Sequence, residues 1–228
     1  MTMPRNVIDA LPFWASLGLI PLAWIGAAYG GWTVLLVPLG SWVLVSLIDV
    51  LTGLNEANAD VDQPDTALFW YRLITLIWPA VQGATVFGVI GYLAHSGHLG
   101  WSGMIGVAIG LGILSGAVGI VYAHELMHQK NRVERWLGDI LMAMTLYGHF
   151  RSEHLLVHHR YVGTPRDPVT ARYNESFLRF FPRVLRQSLR SAWMVETSRL
   201  TRKGHSAFHR SNPFWRYGAL QAGFLVLA

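Results

Sequence analysis

The sequence predicts an all-α, polytopic integral membrane protein, and three observations lead to that prediction. Hydrophobic residues make up 52% of the 228 residues, while charged residues make up only 14%. The apolar residues are grouped in runs long enough for a membrane-spanning helix, which needs about 20 residues. Basic residues are unevenly placed, since sixteen of the eighteen lie at or after Lys130. We therefore expect one membrane domain, 1–228, with a cytoplasmic histidine-rich helical region and an interfacial amphipathic helix.

Four apolar runs predict complete membrane spans, and a fifth run begins near residue 213. Residues 11–48 contain no charged residue, and the Gly30–Gly31 pair divides them into two spans. The third run follows Arg72, and the fourth ends directly at a histidine motif. The predicted spans are about 12–29, 32–50, 70–93 and 101–123, with the start of a fifth at 213–228.

Two stretches around these spans have a distinct composition. Residues 51–68, between the second and third spans, form an acidic loop. The fourth span is rich in glycine, and the pairs Gly106/Gly110 and Gly112/Gly116 have the spacing that lets a neighbouring helix approach closely. We interpret these glycines as ordinary helix packing rather than as the wall of a substrate channel.

The basic residues also predict how the protein is oriented in the membrane. Cytoplasmic loops of membrane proteins carry an excess of Lys and Arg. Only Arg5 and Arg72 precede Lys130, and the two short connections on the opposite side have no basic residue. We expect the amino terminus, the 51–70 loop and residues 124–212 on the cytoplasmic side of a bacterial inner membrane. The net charge of +5 then reflects topology, and no nucleic-acid partner is expected.

The cytoplasmic segment is predicted to be mainly helical. Residues 133–147 are apolar with few charges, which is compatible with an interfacial position, and residues 150–160 form a further helix. The stretch GTPRDP, 163–168, ends that helix with two prolines. From about Ser176 to Leu200, apolar residues alternate with arginines at helical spacing. This pattern predicts an amphipathic helix along the membrane surface, and a protein-docking face is compatible with it.

Two short segments carry the strongest chemical signal. HELMH, residues 124–128, has the His-Glu-x-x-His form found on zinc-protease helices, and EHLLVHH, residues 153–159, adds three more histidines. Histidines four residues apart lie about 40° apart around an α-helix, so each such pair can share a metal. His159 is turned about 100° from its neighbour and can serve a second metal. The candidate metal ligands are His124, His128, His154, His158 and His159.

Five imidazoles favour two metals over one. A catalytic zinc typically takes three protein ligands. The sequence has no cysteine, so any metal must be held by nitrogen and oxygen ligands. A membrane zinc protease would use Glu125 as its base, but it would leave the second histidine segment without a role.

The two segments resemble the first two histidine boxes of the alkane 1-monooxygenases, within the fatty acid desaturase/hydroxylase superfamily. HELMHQK, 124–130, is similar to the first box. EHLLVHHRYVGTPRDPVTAR, 153–172, is similar to a second box of the form EHxxxHHxxVxTPxDPxSxR. The second box is the specific one, because the pattern is much longer than a chance motif. The resemblance extends over essentially the whole chain.

The resemblance implies an integral membrane, non-haem di-iron monooxygenase. Its cofactors would be two iron ions, bound by the five histidines above. It would hydroxylate the terminal carbon of an alkane taken from the membrane lipid, using O₂ and electrons from a rubredoxin-type donor. Carboxylates commonly orient the imidazoles of such sites; the candidates are Glu125, Glu153 and Asp167. For Asp167, a turn residue before Pro168 is an equally good interpretation.

Other interpretations remain open. Related di-iron hydroxylases act on aromatic methyl groups or fatty acyl chains, whereas fatty acyl desaturases usually have a tighter HxxHH second box. The family also has a third HxxHH box and a further histidine, which this sequence lacks, so we expect an amino-terminal portion of a longer protein or an inactive truncated remnant. The 228-residue chain alone is not expected to be active. Weaker ligand candidates are His149, His205 and His209, while His95 and His98 belong on the opposite side of the membrane.

Overall fold

The computed structural model describes residues 5–52 and 68–228, and every regular element in these ranges is a helix. The predicted all-α class is therefore confirmed. Apart from its terminal residues, the predicted acidic loop 51–68 lies outside the described residues. The chain forms two compact units, Met1–Leu141 together with Ala228, and Met142–Leu227.

The first unit contains the long apolar helices. Three segments are long and apolar enough to cross a membrane: Ala10–Tyr29, Phe69–Ser96 and Trp101–His128. They correspond to the first, third and fourth predicted spans. Gly31–Leu47 is apolar and helical but shorter, and the spans predicted at 32–50 and from 213 stay predictions. The α-helices are α1 (Arg5–Trp14), α2 (Leu19–Tyr29), α3 (Leu36–Pro38), α4 (Val45–Thr52), α5 (Phe69–Ser96), α6 (Trp101–Ile113), α7 (Ile120–His128) and α8 (Arg132–Met144), the last of which ends just beyond the unit boundary.

Close helix packing in this unit depends on one of the two predicted glycine pairs. A Cβ atom on Gly106 would lie 2.5 Å from Val34 Cγ2, and one on Gly110 would lie 3.4 Å from Val37 Cβ. The helical segment containing these two valines therefore packs against the glycine face of α6. No described atom lies within 4 Å of a Cβ placed on Gly112 or Gly116. The packing prediction is confirmed for the first pair only.

The histidine-bearing helix α7 is supported by α8. A Cβ on Gly138 would lie 3.1 Å from the carbonyl oxygen of Ala123, so α8 can approach α7 closely only because position 138 is glycine. The start of α8 is fixed to α5 by an ion pair, in which Arg72 Nε donates to Glu134 Oε2 at 3.2 Å and Arg72 Nη2 contacts the other oxygen. Glu134 is buried, so its charge needs this partner.

The second unit contains the helices that follow. The predicted helix at 150–160 is observed as α9 (Phe150–Glu153), a π-helical turn (His154–His158) and α10 (His159–Tyr161). The predicted amphipathic helix is observed as α11 (Phe177–Thr201), and the last helix is α12 (Phe214–Leu227). The buried residues of α11 recur every four positions, as expected for a helix with one buried face. They are Val184, Ser188, Ala192, Glu196 and Leu200.

Candidate metal centre

The first histidine pair projects from a regular α-helix. In α7, the ring centroids of His124 and His128 are 4.7 Å apart, with the ring planes at 64°. Leu126 and Met127 between them are buried, whereas His124 is half-buried and His128 is exposed. The predicted 40° separation therefore holds here, because α7 keeps the ordinary α-helical repeat.

Glu125 contacts one of these imidazoles. Its Oε1 lies 3.1 Å from His124 Nδ1, and the carboxylate side chain is 57% exposed. A carboxylate on Nδ1 fixes the proton on that nitrogen, so Nε2 is the atom of His124 that can ligate a metal. This contact is to a neighbouring residue at the surface, so it constrains the ring only weakly.

The second histidine segment departs from α-helical geometry. His154–His158 is a π-helical turn, in which backbone hydrogen bonds join residues five apart. Since the turn holds one more residue than an α-helix, His159 lies over His154, and their Nε2 atoms are 2.9 Å apart. The α-helix that the sequence predicts here would place His159 on a different side of the helix from His154. His158 instead stacks beside His154, with ring centroids 5.2 Å apart.

Asp167 anchors His158. Its Oδ2 accepts a hydrogen bond from His158 Nδ1 at 2.9 Å and another from Thr170 Oγ1 at 2.6 Å, while Oδ1 accepts from the Val169 amide at 3.0 Å. Burial raises the pKa of this carboxyl, but the three hydrogen bonds outweigh it and hold the pKa below its usual value. The carboxylate thus stays charged and places the His158 proton on Nδ1. Asp167 is both the turn residue and the histidine partner that the sequence suggested.

Glu153 is fully buried, and neither of its oxygens has a hydrogen-bond partner in the described part of the chain. Burial, and then the charge of Asp167, raise its pKa to about 7. A buried carboxyl without a partner is costly, and a bound cation nearby would offset that cost. Its predicted role in orienting an imidazole has no hydrogen bond to support it within the described residues.

The remaining histidines occupy different surroundings. Burial lowers the pKa of His149 to about 4, so it is neutral, and its ring packs 4.7 Å from Tyr147. The rings of His205 and His209 stack on each other at 4.0 Å. His95 and His98 lie at or just after the end of α5, beside the start of Trp101–His128 rather than its histidine end.

Sequence reasoning missed the contacts that hold the loop around Asp167. Arg183 on α11 donates from Nε and Nη2 to the two oxygens of Glu175, each at 2.6 Å. It also donates to the carbonyl oxygens of Pro168 at 2.8 Å and Thr170 at 3.2 Å. Arginine can bridge several acceptors with its planar fork. The sequence alone does not indicate this role, because Arg183 is one of several arginines in an amphipathic helix.

The chemistry of the donors fits a metal bound by nitrogen. Every candidate ligand is an imidazole, and in both segments a carboxylate on Nδ1 leaves Nε2 as the ligating atom of one histidine, His124 or His158. Neutral imidazoles suit iron, zinc, copper and nickel, and a site with open positions is typical of non-haem iron. The side-chain chemistry of these histidines is therefore compatible with a bound metal ion.

Comparison with known proteins identifies the family. Residues 99–228 match the model of the fatty acid desaturase family, which is more than half of the chain. The chain belongs to the fatty acid desaturase family. Members of this family are iron-dependent, and histidines arranged as described here can bind such a metal. The membership also supports the prediction of an oxidoreductase.

The relatives of this desaturase-family chain include hydroxylases. It is 35% identical to alkane 1-monooxygenase 2 of Pseudomonas aeruginosa over 223 residues, 95% of this chain and 56% of the relative. It is 31% identical to alkane 1-monooxygenase of Pseudomonas putida over 88% of this chain and 50% of the relative. The xylene/toluene monooxygenase hydroxylase component of Pseudomonas putida is 28% identical, over 86% of this chain and 52% of the relative. The resemblance deduced from the histidine boxes is confirmed, and the chain spans about half the length of the curated relatives it matches.

Proposed function

We propose that this chain forms part of a membrane-bound, non-haem di-iron monooxygenase that converts alkanes to primary alcohols. The second histidine segment carries the proposal. There, a π-helical turn brings His154 and His159 together, and a buried carboxylate fixes His158. A zinc protease needs only the HELMH helix, whereas this second set has a support of its own.

We assign two iron ions to the five histidines of the two segments. Asp167 would orient His158 and Glu125 would orient His124, each through Nδ1. Glu153 orients no imidazole in this assignment; it supplies a buried negative charge that a bound cation would compensate. Bound iron would supply the oxidant for an unactivated C–H bond, which no side chain can provide. The ligand set is His124, His128, His154, His158 and His159.

The proposed reaction takes an alkane, O₂, two electrons and two protons to a primary alcohol and water. We assign the electron supply to a separate protein; the chain contains no cysteine, so it has no thiolate ligands for an iron–sulfur or rubredoxin-like centre. A small acidic protein of the rubredoxin type would suit the many exposed arginines of α11, such as Arg179 and Arg186.

The alkane would enter from the bilayer. The first unit contains a cavity of about 470 Å³ beside α7, lined mainly by apolar and aromatic side chains such as Phe13, Tyr71 and Val121, with Glu125 also at its wall. A hydrocarbon would lose no hydrogen bonds on entering such a cavity. We propose this cavity as the part of the first unit through which substrate approaches HELMH.

The test is hydroxylation of octane by the protein expressed from its complete gene, in bacterial membranes with iron and a rubredoxin. We expect 1-octanol, measured by gas chromatography, and we expect none from His158→Ala. As a matched control, His205→Ala should retain the product, because His205 pairs with His209 instead. A wild-type protein that forms no alcohol, or a variant lacking His158 that still does, would contradict the proposal.

A second candidate substrate class is aromatic methyl groups. The relative named as a xylene/toluene monooxygenase hydroxylase component favours it. The same membranes incubated with toluene distinguish the two. Benzyl alcohol formed in preference to 1-octanol would assign the chain to that class and leave the metal-site proposal intact.

We also propose that the histidine segments face the cytoplasm of a bacterial inner membrane. Since the chain has no cysteine, single cysteines report its topology directly. Cysteine in place of the exposed Ser96 should react with an impermeant maleimide in spheroplasts, whereas cysteine in place of the exposed Ser206 should react only after permeabilisation. The reverse pattern would overturn the orientation.

A further inference from the structure

Four aromatic rings form one continuous stack along the second histidine segment. The ring centroids of Tyr147 and Phe150 are 5.3 Å apart, with the ring planes at 27°. The rings of Phe150 and His154 follow at 5.0 Å and 26°, and those of His154 and His158 at 5.2 Å and 21°. Offset stacking at such distances is a favoured arrangement of aromatic pairs. Two imidazoles of the proposed ligand set therefore continue a stack that begins with two side chains outside that set.

The backbone on both sides of Phe150 is fixed by neighbouring helices of the same unit. The amide of Gly148 donates a hydrogen bond to Gln221 Oε1 on α12 at 2.9 Å. Ser152 Oγ donates to Oε1 of the buried Glu196 on α11 at 2.7 Å. Because these contacts lie two residues before and two residues after Phe150, they hold the backbone from which its ring projects.

His154 is stacked between Phe150 and His158. Its Nε2 lies 2.9 Å from Nε2 of His159, and the planes of these two rings are at 86°. The torsion about the Cβ–Cγ bond of a histidine has broad minima, so neighbouring groups must fix the plane of the ring. Rotation about this bond would press the His154 ring against its stacked neighbours and change the distance between the two Nε2 atoms. Asp167 holds His158 on one side of the ring, and Phe150 is the neighbour on the other side.

We propose that Phe150 is a positioning residue of the metal centre, whose ring holds the imidazole plane of His154 so that its Nε2 stays beside Nε2 of His159. The inference rests on the proposed function, since it takes both histidines as metal ligands. It adds a residue that binds no metal and that the histidine pattern does not include. A ligand whose orientation is set in advance loses less conformational freedom on binding. Loss of the Phe150 ring should therefore weaken iron binding without abolishing it.

The test is the iron affinity of the full-length protein purified from its complete gene, measured by competitive titration. Phe150→Leu keeps an apolar side chain but removes the ring, and the affinity should fall by about 2- to 12-fold, the range that an aromatic pair contributes. Phe150→Tyr retains the ring and should keep the affinity within about twofold of the wild type. The Mössbauer spectrum of iron-loaded Phe150→Leu should also differ from that of the wild type, because a reoriented imidazole changes the ligand field. A loss of stability alone would leave the spectrum of the folded protein unchanged.

Phe177→Leu is the matched control. Phe177 stacks on Phe181 at 5.4 Å and 24°, which resembles the stacking of Phe150 on His154, but neither of these phenylalanines contacts a proposed ligand through its stack. Phe177 is exposed, so its replacement should leave the iron affinity within about twofold.

Three outcomes would contradict the proposal. Equal losses of affinity in Phe150→Leu and in the control would overturn it, and so would a loss in Phe150→Tyr as large as that in Phe150→Leu. Iron bound by the wild type and by Phe150→Leu with the same affinity and the same spectrum would overturn this inference alone. A wild-type protein that binds no iron would instead overturn the proposed function, and this inference with it.

Discussion

The two histidine segments bring their imidazoles together through different local structures. His124 and His128 project from an ordinary α-helix at the end of a long apolar segment, and their neighbouring carboxylate is exposed. The second segment forms a π-helical turn, and a buried aspartate holds one of its rings. The first pair therefore depends on helical periodicity alone. The second depends on one extra residue in a turn and on a loop that folds back over it.

This difference indicates where each half of the site is vulnerable. Any change that preserves α7 preserves the spacing of the first pair. The second set can be disturbed from a distance, because Asp167 belongs to a loop that Arg183 fastens through Glu175 and two backbone carbonyls. Mutations far from the histidines should therefore disturb the second segment but not the first.

The largest expected effect is a loss of activity when a histidine of either segment is replaced, although the two segments differ in local structure. His128→Ala and His159→Ala should each reduce octane hydroxylation below detection, because the proposed metal centre takes ligands from both segments. The measurement is 1-octanol formed per unit of folded protein. Full activity in one variant and none in the other would mean that only one segment forms the metal centre.

Single-residue deletions should distinguish the two helix types. Deleting Leu126 places His128 three residues after His124 and moves it from 40° on one side of His124 to about 60° on the other, so the imidazole pair no longer faces the metal as before and iron binding should fall. Deleting Leu156 should convert the π turn to an α-helix, since a π turn contains one extra residue. The former His154 and His159 would then be four residues apart and still on one face. Iron content of the purified variants measures the difference, and equal loss in both would contradict the role of the π turn.

Much of this arrangement follows from the sequence, and the remainder depends on tertiary contacts. The α-helical period predicts α11 and the spacing of His124 and His128, because both follow regular repeats. The sequence HLLVH does not indicate a π turn, so the predicted α-helix separates His159 from His154, whereas the π turn brings their Nε2 atoms to 2.9 Å. Gly112 and Gly116 share the spacing of Gly106 and Gly110, yet only Gly106 and Gly110 contact a neighbouring segment.

The loop around Asp167 shows a further limit. Its aspartate was proposed from resemblance to a motif, and the alternative role as a turn residue is also present in the hydrogen bonds. The Arg183–Glu175 pair has no signal in the sequence, because Glu175 lies in the loop before α11 and Arg183 lies within that helix. Side-chain contacts of this kind require a folded chain.

Asp167→Asn should weaken the second segment without removing a ligand. Without the carboxylate charge, the proton on His158 Nδ1 is held less firmly. Changes of this kind reduce metal affinity by roughly 10–100-fold. Glu125→Gln is the matched control in the first segment and should cost less, because its carboxylate is exposed. Competitive iron titration measures both. A greater loss for Glu125→Gln would reverse the comparison.

The smallest expected effect is on stability. Arg183→Gln removes the hydrogen bonds from Arg183 that hold the loop around Asp167, and it should lower Tm by about 2–4 °C. The hydrogen bonds from Arg183 and from the Arg172 amide lower the pKa of Glu175 from 4.5 to about 2. A carboxyl group whose pKa is lower in the folded state than in the unfolded state stabilises the fold at pH values above its unfolded-state pKa. This contribution should therefore disappear as the pH falls from about 4.5 to about 2. Across that range, Tm should depend less on pH in Arg183→Gln than in the wild type. An unchanged dependence of Tm on pH would contradict the role of the Arg183–Glu175 pair.

The central claim is that histidines of both segments bind iron. The most direct measurement is the metal content of the protein purified from its complete gene, together with Mössbauer spectroscopy of ⁵⁷Fe-loaded samples. We predict two irons per chain in a nitrogen-rich environment, with a loss of iron when either His128 or His159 is replaced by alanine. A single zinc ion that survives His159→Ala and is lost in His128→Ala would contradict the account and favour the HELMH helix acting alone.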